Sequence, residues 1–209
     1  MGVTERRERE RQEIKAKILE AARELFAEQG YEQVTMRRIA ERIEYSPTAI
    51  YFHFKDKEAL LRELCDQDFA ALASQLLQIA IERDPIERLR RIGRAYVRFA
   101  LDYPNQYRFM FMTPKPALDP CDSAIERGNP EQDAYAFLKA TVSEAIQSNR
   151  LREGLSNPDL VSQMIWGATH GVVSLPIAKS NDPWVDWADT ETTANEVIEA
   201  LIRGLAREK

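Results

Sequence analysis

Cysteine and histidine are scarce, with two of each in 209 residues. Cys65 and Cys121 could close one bridge at most, which excludes a disulfide scaffold and points to a reducing compartment. Two histidines cannot build a His-rich metal site, and no metal or cofactor is expected. Glycine (8) and proline (10) are too few for a collagen-like or low-complexity chain. The charged segment Met1 to Glu13 has no apolar run, so no secretory signal is expected and the cytoplasm is the expected location. Strand signals are also missing: there is no sustained period-2 alternation and no Asn-Gly or Asp-Gly turn. The sequence has no GxSxG, phosphate-loop or His-Glu metal motif, so no enzyme is expected.

Charge is uneven along the chain. Residues 1–60 hold 12 basic and 12 acidic side chains, and residues 61–209 hold 17 and 22, for a net charge of −5. An acidic chain does not coat polyanions in general, but its neutral first part can still carry a local basic surface. The stretch Leu160 to Ala178 has no charged residue and is long enough to span a membrane. Its Ser162, Gln163, Thr169, His170, Ser174 and Pro176 make a helix buried inside protein the better reading, and no membrane partner is expected.

What the sequence does contain is helical periodicity, beginning with Ile14, Ile18, Ala21, Ala22 and Leu25. Further stripes run from Leu61 to Ile79, Ile86 to Tyr103, Ala134 to Ile146 and Ala194 to Leu205. Ser46-Pro47, Asp84-Pro85, Asn129-Pro130 and Asn157-Pro158 each put a capping side chain before a proline, the signature of a helix start. The expected fold is all-α, with helices near 10–29, 36–43, 47–53, 57–81, 85–102, 104–112, 130–149, 158–178 and 188–207. Three short helices give way to long ones near residue 57. This suggests a three-helix head over 1–56 and a larger helical domain over 57–209.

Residues 35–57 read TMRRIAERIEYSPTAIYFHFKDK. Two short helices flank the turn Glu44-Tyr45-Ser46, and Ile39, Ala40, Ile43 and Ile50 supply the apolar contacts that hold them. This is the layout of a helix-turn-helix, whose second helix enters the DNA major groove. That helix presents Pro47, Thr48, Ala49, Tyr51, Phe52 and His53 and carries no acid. Arg37, Arg38, Lys55 and Lys57 surround it, a cationic rim suited to phosphate around a base-reading centre. Thr35 fits the cap of the preceding helix. Lys57 begins the next helix, so its ammonium and the helix N–H groups could converge on one phosphate. The four arginines and four glutamates between Thr4 and Glu13 read as a solvated helical extension rather than a minor-groove arm.

The run Thr35-x-Arg37-x-Ile39-Ala40, Ser46-Pro47-Thr48, Tyr51-x-His53-Phe54-x-x-Lys57-x-x-Leu60-Leu61 resembles the TetR family of bacterial transcriptional regulators. So does Ile18-Leu19-x-Ala21-Ala22-x-x-Leu25-Phe26-x-x-x-Gly30-Tyr31 before it. The likeness covers about residues 14–64; Glu44 departs from it where the family often has Gly. Trp166-Gly167-x-x-His170-Gly171 resembles a subgroup of TetR C-terminal domains. The resemblance implies phosphate contacts by Tyr51 and His53. It also implies a homodimer through the last two helices, and a small-molecule pocket whose occupant releases a double-stranded DNA operator.

The residues themselves leave parts of this open. Gly167 and Gly171 share a helix face and admit a close backbone, either across a subunit interface or within one chain. The stripe containing Val197, Ile198, Leu201, Ile202 and Leu205 must be buried, and dimerisation is one way. Tyr96, Phe99, Tyr103, Tyr107 and Met110, with Trp166 and His170, are either plain core or the walls of a mostly apolar ligand site. The expected function is a ligand-responsive repressor. A regulator gated by a protein partner or by cysteine oxidation, or an activator, is the alternative.

Overall fold

A computed structural model describes residues 2–179 and 182–207. Nine α-helices and no named strand occur among the described residues. They are α1 (Val3–Gln29), α2 (Met36–Arg42), α3 (Pro47–His53), α4 (Lys57–Leu77), α5 (Pro85–Asp102), α6 (Pro104–Phe111), α7 (Ala134–Gln147), α8 (Pro158–Ala178) and α9 (Thr190–Leu205). The expected all-α class is observed. Three of the four cap-proline pairs act as anticipated: Ser46, Asp84 and Asn157 accept backbone N–H bonds at the starts of α3, α5 and α8. The fourth does not start a helix. Asn129 caps only a turn, and its carbonyl takes the N–H groups of Gln132 and Asp133. Asp133 then caps α7, accepting from Tyr135 and Ala136 at 2.9 and 3.1 Å.

The chain forms two compact units, and neither ends at residue 57. One comprises Met1–Asp68 and Asn105–Ala124, the other Phe69–Pro104 and Ile125–Lys209. In the first, Ile18, Ala22, Phe26, Ile39, Ala40, Ile50, Leu60, Leu61 and Leu64 are fully buried. The α6 helix belongs to this unit because Phe109 stacks on Phe26 at 6.0 Å and Gln106 donates to Asp68 at 3.1 Å. Asp68 also receives a bidentate bond from Arg23, 2.9 Å from Nε and 2.8 Å from Nη2. Both partners are buried, so the pair joins α1 to α4 where neither charge could stand alone.

In the second unit α5, α7, α8 and α9 pack together. One close approach is at a glycine that sequence reasoning passed over. A methyl group on Gly93 of α5 would lie 3.2 Å from Ile198 Cδ1 and 3.4 Å from Thr169 Cγ2. The expected assignment of Ile198, Ile202 and Leu205 to a dimer seam is therefore corrected. All three are buried within their own chain, since the amphipathic stripe of α9 is consumed by α5 and α8. Val197 and Leu201 remain half-exposed at its margin. Beyond their own helical turns, Gly167 and Gly171 have no described atom within 4 Å of where a Cβ would sit, so neither serves a close contact within the chain. Leu160, Trp166 and Leu175 on α8 are exposed, so the uncharged stretch Leu160 to Ala178 is buried on one side only. No helix among the described residues is long and apolar enough to cross a membrane.

Candidate nucleic-acid interface and effector site

Local rules account for the α2–α3 geometry. Thr35 Oγ1 accepts the Arg38 N–H at 3.2 Å and starts α2; Ser46 Oγ accepts the Ala49 N–H at 3.3 Å and starts α3. The turn between them needs one left-handed residue, and Glu44 takes that role at φ 59°. This is the position where the resembling family often carries Gly. Ile50 is fully buried and fixes the rotation of α3. Pro47, Thr48, Tyr51 and Phe52 are thereby exposed, while Ala49 and His53 are half-buried. Arg37 lies outside, paired with Glu41 at 2.9 Å.

Two expected contacts look different in three dimensions. Lys57 does not extend into solvent. Its ammonium donates to the carbonyls of Tyr31 and Val34, each at 3.0 Å, and lies 4.1 Å from the Tyr31 ring centroid. Two of its three donors are thus committed to the head and the cation lies over the Tyr31 ring, a structural role that the sequence did not suggest beside the expected phosphate contact. His53 is held below its ordinary pKa of 6.5 by burial, with further lowering from Arg11 and Lys15. Its Nδ1 is buried with no hydrogen-bond partner among the described residues. The neutral tautomer protonated on Nε2 fits this, since a proton on Nδ1 would have no acceptor.

The aromatic band divides between the two units. Tyr107 and Met110 are buried in the first, with Tyr107 against Phe111 at 5.2 Å. Tyr96, Phe99, Tyr103, Trp166 and His170 are in the second, where Phe99 is core and Tyr103 is 46% exposed. Three of these form a polar chain. Trp166 Nε1–H donates to Tyr96 Oη at 3.2 Å, and Tyr96 Oη lies 3.0 Å from His170 Nδ1. Indole can only donate, so Tyr96 Oη accepts there; with imidazole neutral and protonated on Nε2, the tyrosine proton is directed to a bare Nδ1 of His170. Burial holds His170 below its ordinary pKa, in agreement with that neutral form. Tyr135 packs on Trp166 at 5.9 Å. A groove of about 470 Å³ lies elsewhere in this unit, lined by Arg94, Ala95, Val97, Arg98, Glu191 and Asn195. None of the expected effector residues lines it. No group of side chains suited to a metal occurs among the described residues.

Comparison with known proteins places this geometry. Residues 18–64 match the family model described as bacterial regulatory proteins, tetR family. Residues 89–205 match the model for a tetracyclin repressor-like C-terminal domain. An HTH-type transcriptional repressor of Mycobacterium tuberculosis is 44% identical over 70 residues, 32% of this chain and 37% of that one. The repressor AcnR of Corynebacterium glutamicum is 38% identical over 93 residues, 44% and 43% of the two chains. These alignments thus span less than half of either relative. Among solved structures, a TetR family transcription regulator from Marinobacter aquaeolei superposes with TM-score 0.74 at 20% identity, over 97% of this chain and 100% of the other. FadR of Bacillus subtilis, in complex with stearoyl-CoA, gives 0.71 at 23% identity over 90% and 98%. At these identities the superpositions show a common fold. The family models together cover most of the chain, and it belongs to the TetR family of bacterial regulatory proteins.

Proposed function

We propose that the chain is a DNA-binding transcriptional repressor, acting as a homodimer on a palindromic operator and released by a small, mostly apolar effector. The observation that carries the DNA reading is the α2–α3 pair: an exposed, acid-free face of Pro47, Thr48, Tyr51 and Phe52 on a helix rotated into place by buried Ile50. Uncharged side chains that reach base edges inside a cationic rim are what major-groove reading requires. Relatives named as repressors, matched over about a third to two fifths of this chain, support repression rather than activation.

The effector reading rests on the Trp166–Tyr96–His170 chain, a set of polar tips among apolar side chains. Oxidative gating through Cys65 is disfavoured, because burial pushes its thiol up to about 11 and keeps it protonated. The dimer reading rests on the uncovered α8 face carrying Gly167, Gly171 and Leu175.

Selection of duplexes from a randomised library tests the whole. The recovered sequence should be a pseudo-palindrome with half-sites about one turn, roughly 34–36 Å, or a multiple apart. Thr48→Ala should change the preferred base at symmetric positions, at about 1–3 kcal/mol per mismatched pair. Failure to enrich any sequence would overturn the regulator reading.

A further inference from the structure

The first turns of α1 read from sequence as a solvated extension with balanced charge. The structure gives one side of it a direction. Arg7, Arg11 and Lys15 follow one another at i, i+4 spacing and so occupy one row of the helix. Two contacts orient that row. Lys15 lies 5.7 Å from the Phe54 ring centroid and pairs with Glu63 at 2.5 Å. One turn earlier, the Arg11 guanidinium lies 5.5 Å from the centroid of Phe52. Phe52 is 72% exposed and sits in the last turn of α3, on the acid-free face. Its ring also meets the His53 imidazole edge-on at 5.5 Å, so it is held between two neighbours.

Two acids of this segment are turned to other partners. Glu10 pairs with Arg6 at 2.9 Å, and Glu8 accepts from Gln12 at 2.7 Å. Ahead of the Glu63-paired Lys15, Arg7 and Arg11 are therefore two like charges in one row, with Arg11 beside the exit of α3. The row's nearest effect is visible in the head itself, since Arg11 and Lys15 both oppose a positive charge on His53.

An exposed phenyl ring has no hydrogen-bond donor for phosphate, yet it can hold a guanidinium flat and leave its N–H edge outward. We propose that Phe52 is a positioning residue for Arg11, and that Arg11, with Arg7 one turn further out, contacts the DNA backbone alongside the groove entered by α3. The DNA site is then built from two helices of the head, with α3 reading bases and the N-terminal row of α1 neutralising phosphate. This inference rests on the DNA-binding reading of the preceding section.

The probe is a duplex recovered by the wild-type chain from a randomised library, with affinity measured against salt concentration. Arg11→Ala should lower the log–log salt slope by roughly 0.9 for each bound protomer and leave the preferred sequence unchanged. A fourfold rise in salt then costs the variant about 3.5-fold less affinity per protomer than it costs the wild type. Arg11→Lys should keep the wild-type slope, because the cation survives. Phe52→Leu should show a slope between the two, and Arg6→Ala should leave it unchanged. Thermal midpoints recorded in parallel identify any loss of folding. If Arg11→Ala shifts the midpoint but not the slope, Arg11 only braces Phe52 and the proposal is overturned alone. If the wild-type chain retains no duplex, this proposal and the regulator reading fall together.

Discussion

The Lys57 ammonium is bonded to the Tyr31 carbonyl at 3.0 Å and lies 4.1 Å from the ring centroid of the same residue. One cation thus ties the start of α4 to the segment that leaves α1, with Val34 as the second acceptor. The main chain between α1 and α2 has few internal hydrogen bonds of its own, and Lys57 satisfies two of its carbonyls. The orientation of α2 and α3 depends on that segment.

Lys57→Ala is accordingly expected to act through the fold. Loss of two charge-assisted bonds and a ring contact on a half-exposed side chain should cost about 1–3 kcal/mol of stability. Affinity for every duplex should fall at temperatures near the lowered midpoint, while the log–log salt slope stays close to wild type. A slope reduced by roughly 0.9 per protomer with an unchanged midpoint would instead place Lys57 among the phosphate contacts.

Much of this head was legible in the sequence because its determinants are local. Thr35, Ser46 and Pro47 announce helix starts within three residues, whereas the left-handed turn at Glu44 has no such signal because the residue there is not Gly. The direction of Lys57 was not legible, because its acceptors are main-chain carbonyls 23 and 26 residues earlier. Those groups carry no sequence signal. The stripe of α9 was read correctly as apolar, but periodicity cannot say whether a face is buried by the same chain or by another. The clue that settles it is Gly93, a single glycine inside the α5 stripe that lets Ile198 approach. Arg11 was passed over because charge counting averages a helix over all its sides.

The buried pair Arg23–Asp68 should be the most sensitive polar contact of the first unit. Arg23→Ala leaves a carboxylate that is 1% exposed with Gln106 as its remaining side-chain donor. A loss of about 3–5 kcal/mol is expected. Combining Arg23→Leu with Asp68→Leu should recover much of that loss, because two apolar groups need no partner. Denaturant midpoints of the single and double variants measure this directly; additive losses would show that the pair is not coupled.

Acid should weaken the protein earlier than its carboxylates require. His53 and His170 are both held below the ordinary 6.5, each chiefly by burial. As pH falls through about 6.5 the unfolded chain binds these protons before the folded one does, so stability drops with falling pH. The loss continues until the folded-state values are passed. His170→Gln should flatten the decline in thermal midpoint from about pH 7 to about pH 5. A His170→Gln profile parallel to wild type would show that this histidine does not titrate differently on folding.

The last prediction separates the interface between copies from the core beneath it. Ile198 is buried against α5 and α8, so Ile198→Glu should unfold the second unit whatever its oligomeric state. It therefore says nothing about dimerisation. Gly167 does, because a Cβ there would meet no described atom beyond its own helical turns within 4 Å. Arginine is also a better helix residue than glycine by roughly 0.5–1 kcal/mol, so Gly167→Arg should leave a monomer folded and no less stable. If the α8 face packs closely on a second copy, the same substitution places two long cations in the seam. Sedimentation should then show a folded monomer, and operator affinity should fall because two linked half-site contacts become independent ones. Gly167→Arg that sediments as a dimer and binds the selected duplex as tightly as wild type would remove the face around Gly167 and Gly171 from the interface and leave the α9 margin, at Val197 and Leu201, as the surface to test.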